Sequence, residues 1–494
     1  MIAGIDTILF DVGGTLVVEA PAATPVGELV AQPLPGVVDA LQALAPHYRL
    51  GAVTDTAVMD GAAIRALLAP CGLDALLEVV VTSSDVGAAK PDPRIVHEAL
   101  RRLGADAKRS LLIGDRDVDR DAAAAAGVAF AATDAGLVDA LARASMLRAG
   151  SFGDAVSRVA PVDERRRAET LARHEQLTKP RGSLGRLEAL GARLAAITAS
   201  CPPPIPTRPA VAVFAGDHGV VASGVTPWPQ EVTAQMVANF ASGGAAINVF
   251  ARYTGASVHV VDVGVASDIT HLTGIRHHKV RSGTADLSRG PAMSTADACD
   301  ALDVGARVAG ELVAAGHDLL VTGEMGIGNT TAAAALVACF TATEAATVTG
   351  RGTGIDDAML ARKQEIVAGA STRAGSWLDP VSVLADVGGL EIAALAGFIV
   401  GGAAAHVPVV VDGVITCAAL LVAEALVPRV RDRCIAGHRS VEPGASATLS
   451  YLGLDPLLDL DLRLGEGTGG CLAIPLVRCA AGVLSEMATF ADLG

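Results

Sequence analysis

The sequence predicts an α/β protein of two domains, each built on a parallel sheet. Three observations lead there. Short apolar runs alternate with Ala-rich stretches of helical length, the pattern of parallel strands wound on both sides by helices. Hydrophobic residues reach 51% while aromatics stay at 3%, a composition that packs helices closely on a sheet and does not suit a disordered chain. The 494 residues fit about three average domains or two larger ones equally well, and the periodic pattern breaks between Ala144 and Val162.

The first domain opens with an apolar strand, Ile5–Phe10, that ends at Asp11-Val-Gly-Gly-Thr15. A second run, Leu50–Val53, ends at Thr54, and a third, Val79–Thr82, leads to Lys90. The fourth, Ser110–Ile113, ends in Gly114-Asp-Arg-Asp-Val-Asp119 ahead of an Ala-rich helix. Functional side chains of such sheets gather at the carboxyl ends of the strands, and here those ends carry Asp11, Thr54, Lys90 and Asp115. An aspartate nucleophile beside a divalent cation and a lysine is a device for neutralising charge on a phosphoryl group. From Ala20 to Pro35 the chain is rich in Pro and Ala and reads as a loop. Only 38 residues separate Thr15 from Thr54, which leaves no room for a helical cap over the site.

Ser151-Phe-Gly-Asp reads as a turn-like break. The expected division is therefore a domain over 1–145, a linker over 146–161 and a second domain over 162–494. A charged helix, Asp163–His174, follows the linker.

In the second domain Ala210–Gly216 is an apolar strand running into Asp217-His218-Gly219. Asp217 and His218 either mark an active-site edge or cap the next helix; no second ligand at metal spacing accompanies His218. Leu319–Thr322 is another strand, and Gly323-Glu-Met-Gly-Ile-Gly-Asn-Thr-Thr331 leads from it into a helix. A glycine loop at a helix N-terminus offers free N–H groups to a phosphate, so Gly326, Gly328 and Asn329 are candidate binding residues. The GK[ST] ending of a P-loop is absent. Gly350-Arg-Gly-Thr-Gly-Ile-Asp-Asp357 opens a helix carrying Lys363, by itself an ordinary solvated lysine. A buried strand, Val409–Val411, ends in Asp412-Gly413, and Ile415–Leu426 is the helix after it. Finally, Arg463-Leu-Gly-Glu-Gly-Thr-Gly-Gly470 sets Glu466 among glycines. A poorly solvated carboxylate there has its pKa raised toward the range of a general base, although a glycine turn with a surface Glu is equally common.

Bulk properties exclude several classes. A net charge of −15 argues against a nucleic-acid partner, which needs a cationic face. Eight cysteines scattered without a CxxC pair predict a reducing, cytoplasmic setting rather than disulfides or zinc. No basic stretch precedes an N-terminal apolar run, so no signal peptide is expected. Ile392 to Val411 carries no formal charge and is long enough to span a bilayer. Its Gly401-Gly402, His406 and Pro408 predict instead a buried helix, a turn and a strand, with no membrane insertion.

Five ordered segments of the second domain resemble the nicotinate-nucleotide–dimethylbenzimidazole phosphoribosyltransferases. They are Leu177–Glu188, Phe214–Val220 with Pro229–Thr233, Gly323–Thr331, Gly350–Asp357 and Arg463–Gly470. The resemblance runs from about Val162 to the C-terminus. It implies a Rossmann-like parallel-sheet transferase domain with a small helical region, and a homodimer. The implied reaction moves phosphoribose from nicotinate mononucleotide to dimethylbenzimidazole, without cofactor or metal, in cobalamin assembly. It further implies Glu466 as general base, Gln230 against the base, Glu324 in the active site and Lys363 on the substrate phosphate. His438, in Gly437-His-Arg-Ser440, is left out of the catalytic set. Nothing in the sequence fixes the base, so a different acceptor stays open.

The first domain resembles the haloacid-dehalogenase-like phosphatases over about residues 1–145, in a form without a cap. That resemblance implies Asp11 as nucleophile, Thr54 and Lys90 on the phosphoryl oxygens, and Mg²⁺ held by Asp11, Asp115 and Asp119. It departs at Gly13, where these phosphatases usually carry a second Asp as general acid and base. A bifunctional enzyme that dephosphorylates its own product is one expectation; a non-catalytic structural or regulatory module is the other.

Overall fold

The structure, a computed structural model, describes residues 2, 5–21, 24–133, 136–147, 150–375 and 379–493. The chain divides into two compact units, one running to residue 149 and the other beginning at Gly150.

The first unit holds β1 (Thr7–Phe10), β2 (Arg49–Thr54), β3 (Val79–Thr82), β4 (Ser110–Gly114) and β5 (Ala129–Ala132) in one parallel sheet, ordered β3-β2-β1-β4-β5. These strands are apolar throughout because both faces are covered by helices. Ile8 and Phe10 enter one core with Leu41, Ile64 and Ile113; Leu9 enters the other with Val53, Ile95 and Leu112. Between Thr15 and the helix Val37–Leu44 the described residues hold a 3₁₀ turn, Val26–Glu28, and a bridge from Val17 to Pro33, and no α-helix. Among the described residues no helical cap stands there, as expected.

One expectation is corrected. Ser151-Phe-Gly-Asp is not a break but part of a helix, Gly150–Arg158, inside the expected linker. Phe152, Gly153 and Ala155 are buried, and the Phe152 N–H donates to Asp303 at 3.1 Å. Tertiary packing against the helices Thr295–Ala314 and Leu390–Ala404 overrides the turn propensity of Ser, Gly and Asp.

The second unit is built on β6 (Pro209–Gly216), β7 (Ser257–Gly264), β8 (Ile275–His277), β9 (Leu319–Met325), β10 (Val409–Val411) and β11 (Cys434–Ala436), all parallel in the order β11-β10-β9-β6-β7-β8. The uncharged stretch before β10 folds as expected: the helix Leu390–Ala404 is buried along its whole length, and His406 turns the chain with φ 58°. This helix crosses Thr295–Ala314 at backbone contact. A Cβ on Gly397 would lie 1.9 Å from the Leu302 carbonyl oxygen, and one on Gly305 1.7 Å from that of Ala394. Thr468–Glu486 is the one described helix long and apolar enough to cross a membrane. Most of it is buried, with Cys471, Ile474, Val477 and Ala481 in the core beneath the sheet.

Candidate active site

In the second unit a cavity of about 260 Å³ opens over the carboxyl ends of the central strands, lined by Glu324, Gly326, Asn329, Thr330, Gly352, His438, Arg463 and Glu466 among others. Glu466 sits in three successive left-handed residues: φ is 86° at Gly465, 62° at Glu466 and 89° at Gly467. A side chain at Gly465 would strike Glu324 Oε1 at 2.1 Å, and one at Gly467 would reach the Thr322 carbonyl at 3.0 Å. The glycines thus let this turn lie directly on β9. Glu466 itself holds a conformation that costs an ordinary residue about 1–2 kcal/mol, strain of the kind that collects at functional sites. Its side chain is buried, and Oε2 accepts the Ile247 N–H at 3.2 Å, a free donor in the first turn of the helix Ala246–Thr254. Burial raises its pKa.

Glu324, near the end of β9, accepts from Asn329 Nδ2. Burial, with the charges of Asp412 and Glu391 behind it, raises its pKa to about 8. Asp412 follows β10; its Oδ1 accepts the Gly470 N–H at 2.8 Å and lies 3.4 Å from His438 Nδ1. The glycine loop bends at Gly328 (φ 93°) into the helix Asn329–Thr341. Gly326 and Asn329 reach the cavity, while Gly328 packs against Val220, Val221 and His218 instead. Lys363 is buried behind the wall: Nζ donates to Thr330 Oγ1 at 2.8 Å and to the Gly350 carbonyl at 3.1 Å. Burial lowers its pKa to about 8, against the opposing pull of Glu442.

Not every segment of the resemblance reaches the cavity lining. Gln230 does not line the cavity; its neighbours Trp228 and Val232 do, and its amide lies beside Gly283. The Leu177–Glu188 segment contributes nothing to the lining either, its Lys179 pairing with Glu188 at 2.6 Å. His218 gives the turn that follows it no side-chain cap. It bonds Glu391 through Nε2 at 2.6 Å, both side chains fully buried. Asp217 accepts the Ala266 N–H at 2.7 Å.

Several residues were missed. Glu442, which accepts the Gly352 N–H at 2.8 Å, stands beside the Gly437-His-Arg-Ser segment. Arg463, with Nη1 3.3 Å from the Gly352 carbonyl, opens the Glu466 motif itself. Both signals were present as a charged residue flanking a glycine segment.

The first unit brings its four motifs together. Lys90 Nζ bonds Asp11 and Asp119 closely and donates to the Val53 carbonyl at 3.3 Å. Thr54 is buried at the end of β2 next to this group. Thr15 Oγ1 donates to Asp115 at 3.1 Å. Arg116, not anticipated, approaches Asp11 at 3.5 Å and Asp119 at 3.7 Å. Burial raises the Asp11 pKa to about 6, opposed by Lys90. Carboxylate oxygens of Asp11, Asp115 and Asp119 lie within 4.8 Å of one another, and Asp11 Oδ2 is buried without a hydrogen-bond partner. Oxygen donors so disposed fit a hard divalent cation such as Mg²⁺.

A parallel α/β sheet with glycine loops and buried carboxylates at its carboxyl edge places the second unit among the α/β proteins that bind small ligands at their strand ends, and it shares the chain with a second α/β unit. The comparisons narrow the class. A phosphoribosyltransferase family model matches residues 159–494, and a haloacid dehalogenase-like hydrolase model matches residues 19–127, beginning after Asp11. The nicotinate-nucleotide–dimethylbenzimidazole phosphoribosyltransferase of Salinispora tropica is 54% identical over 351 residues, 68% of this chain and 96% of that protein. The protein of the same name from Chloroflexus aggregans is 53% identical over 69% of this chain and 96% of its own length. A crystal structure of CobT from Thermus thermophilus superposes with TM-score 0.65 at 48% identity, covering 67% of this chain and 98% of that one. The chain belongs to the nicotinate-nucleotide–dimethylbenzimidazole phosphoribosyltransferase family and carries an N-terminal haloacid-dehalogenase-like domain.

Proposed function

We propose that the second unit transfers phosphoribose from nicotinate mononucleotide to dimethylbenzimidazole, and that the first removes the 5′-phosphate from the product. The observation that carries the first half is a buried carboxylate, Glu466, held in strained backbone at the mouth of the glycine-loop cavity. Pyridinium leaves C1′ without needing a proton. The incoming ring nitrogen forms its bond to C1′ as the bond to nicotinate breaks, and the proton on the other ring nitrogen passes to Glu466. Attack opposite the leaving group inverts the β-nucleotide, giving α-ribazole 5′-phosphate and nicotinate. Lys363, Thr330 and the glycine loop bind the phosphate on this reading, and Glu324 stands over the ribose or assists Glu466.

The phosphatase half is supported by the three-carboxylate cluster, the orphaned Asp11 oxygen and the neighbouring Lys90. A Mg²⁺ held by Asp11, Asp115 and Asp119 would supply charge neutralisation on the phosphoryl oxygens. Asp11 then attacks phosphorus while Lys90 and Thr54 orient those oxygens. Tethering exposes this unit to fresh product at effective concentrations of up to roughly millimolar. We include in the reading a cytoplasmic homodimer.

Mass spectrometry of products tests both halves, using full-length chain, nicotinate mononucleotide, dimethylbenzimidazole and Mg²⁺. α-Ribazole without phosphate is expected, and Asp11→Asn should return the phosphorylated form. Phosphorylated product from both proteins would refute the phosphatase half; no base-containing product would refute the transferase half.

A further inference from the structure

We propose that Glu19 is the proton donor and acceptor of the N-terminal unit, standing in the place of the side chain that Gly13 lacks. The proposal rests on the phosphatase reading above and deepens it.

Cleaving an alkyl phosphate releases an alkoxide, so a group near the nucleophile must supply a proton as the bond breaks. Asp11 forms the new bond to phosphorus and cannot do so. Asp115 and Asp119 belong to the cation cluster, and Arg116 holds its protons too tightly to serve. The chain position two beyond Asp11 is Gly13. Apart from its chain neighbours, a Cβ built there would meet just one atom within 4 Å, Glu19 Cγ at 3.8 Å. The carboxyl carbon is one bond further on.

The backbone holds Glu19 at that spot. Val17 bridges Gly13 on one side and Pro33 on the other. The Gly14 N–H donates to the Val17 carbonyl, and the Val18 N–H to that of Gln32, each at 2.8 Å. Glu19 follows directly, is exposed, and among the described residues makes no ion pair. A carboxyl that is fixed at its stem, free at its head and set beside Gly13, two residues from the nucleophile, suits transfer to and from a bulky leaving group.

The two half-reactions balance. Asp11 attacks phosphorus, the bond from phosphorus to the sugar oxygen breaks, and the Glu19 carboxyl protonates that oxygen. Glu19 carboxylate next takes a proton from water as the water oxygen attacks phosphorus. The bond to Asp11 breaks, releasing inorganic phosphate and restoring both side chains.

The test uses full-length chain with Mg²⁺ and two esters: p-nitrophenyl phosphate, whose leaving group needs no proton, and ribose 5-phosphate, whose leaving group does. Glu19→Gln should keep a burst of about one p-nitrophenolate per chain and then stall, with Asp11 phosphorylated by mass. On ribose 5-phosphate it should lose about 10²–10⁴ in rate. Gly13→Asp added to Glu19→Gln should restore turnover, since a Cβ at Gly13 meets nothing closer than 3.8 Å and φ there is not left-handed. Equal turnover by Glu19→Gln and wild type, or loss of the burst together with all activity, would overturn the assignment. Wild type without burst or turnover on either ester would instead bring down the phosphatase reading, and Glu19 with it.

Discussion

Glu466→Gln is the most direct probe of the transferase chemistry, because the change is confined to one proton-accepting oxygen. Glutamine keeps the length of the side chain and can still accept the Ile247 N–H through its amide oxygen, now 3.2 Å from Oε2. The left-handed backbone, φ 62°, strains both residues alike. Two stability terms oppose each other: the charge-assisted bond weakens, while a buried carboxylate is relieved of its desolvation. The folded state should therefore change by no more than about 1 kcal/mol. Rate should change far more. Removing a general base costs about 10²–10⁴, or roughly 3–5 kcal/mol of barrier. Steady-state kinetics with the base varied should show this loss in kcat with KM little altered, beside an unmoved thermal midpoint. In wild type the acidic limb of the kcat profile should lie above the ordinary glutamate value, since burial raises the Glu466 pKa and the base works only when deprotonated. A loss smaller than about tenfold at an unchanged midpoint would refute Glu466 as base.

Two further outcomes follow from buried charges. His218→Leu strands Glu391 in the interior and should cost about 3–5 kcal/mol by chemical denaturation, with Glu391→Gln in the same chain recovering part of it. Burial alone would lower the His218 pKa, but Glu391 and Asp217 lift it above its usual value. The stability it contributes is thus full below about pH 6.5 and lost as pH rises through the higher folded value; a pH-independent difference between wild type and the double variant would contradict this. Lys363, with a folded pKa of about 8 against 10.5, works in the other sense. Between those values the unfolded chain binds the extra proton, so stability of the ligand-free protein should rise with pH by about 3 kcal/mol. Lys363→Met should flatten that slope and raise KM for nicotinate mononucleotide at least about tenfold; an unchanged KM would remove the lysine from the phosphate site.

Much of this was legible in the sequence because parallel strands buried on both faces leave apolar runs, and their carboxyl ends leave polar punctuation. Asp11, Thr54 and Asp115 stand at or directly after the ends of β1, β2 and β4, so they could be grouped, with Lys90, from the sequence. The glycine segments marked where backbone meets backbone, as at Gly465 and Gly467. Pairings across the chain were not legible. Glu391 is 173 residues from His218, and in the sequence it only flanks an apolar stretch. Glu442 is 90 residues from the glycine it fixes. Ser151-Phe-Gly-Asp misled because turn propensity is local while the packing that makes it helical comes from residues around 303 and 397.

The charge balance of the transferase cavity explains how so acidic a chain handles an anionic nucleotide. Glu324, Glu442 and Glu466 line the cavity and Asp412 lies behind it, against Arg463 and the recessed Lys363. Such a wall repels phosphate, so on the proposed reading the phosphate sits at the glycine loop, with Lys363 behind Thr330 of the lining. The other end of the substrate is cationic: a pyridinium before reaction, and a positive C1′ as that ring departs. Carboxylates placed there favour the charge as it moves onto the sugar, and preorganised groups of this kind act where charge develops. Glu324, its pKa raised to about 8, and Glu466, its own pKa raised, both line the cavity. On the proposed reading the site holds the phosphate at one end and takes the proton of the base at the other, and the orientation of the nucleotide follows from where each sign of charge is allowed.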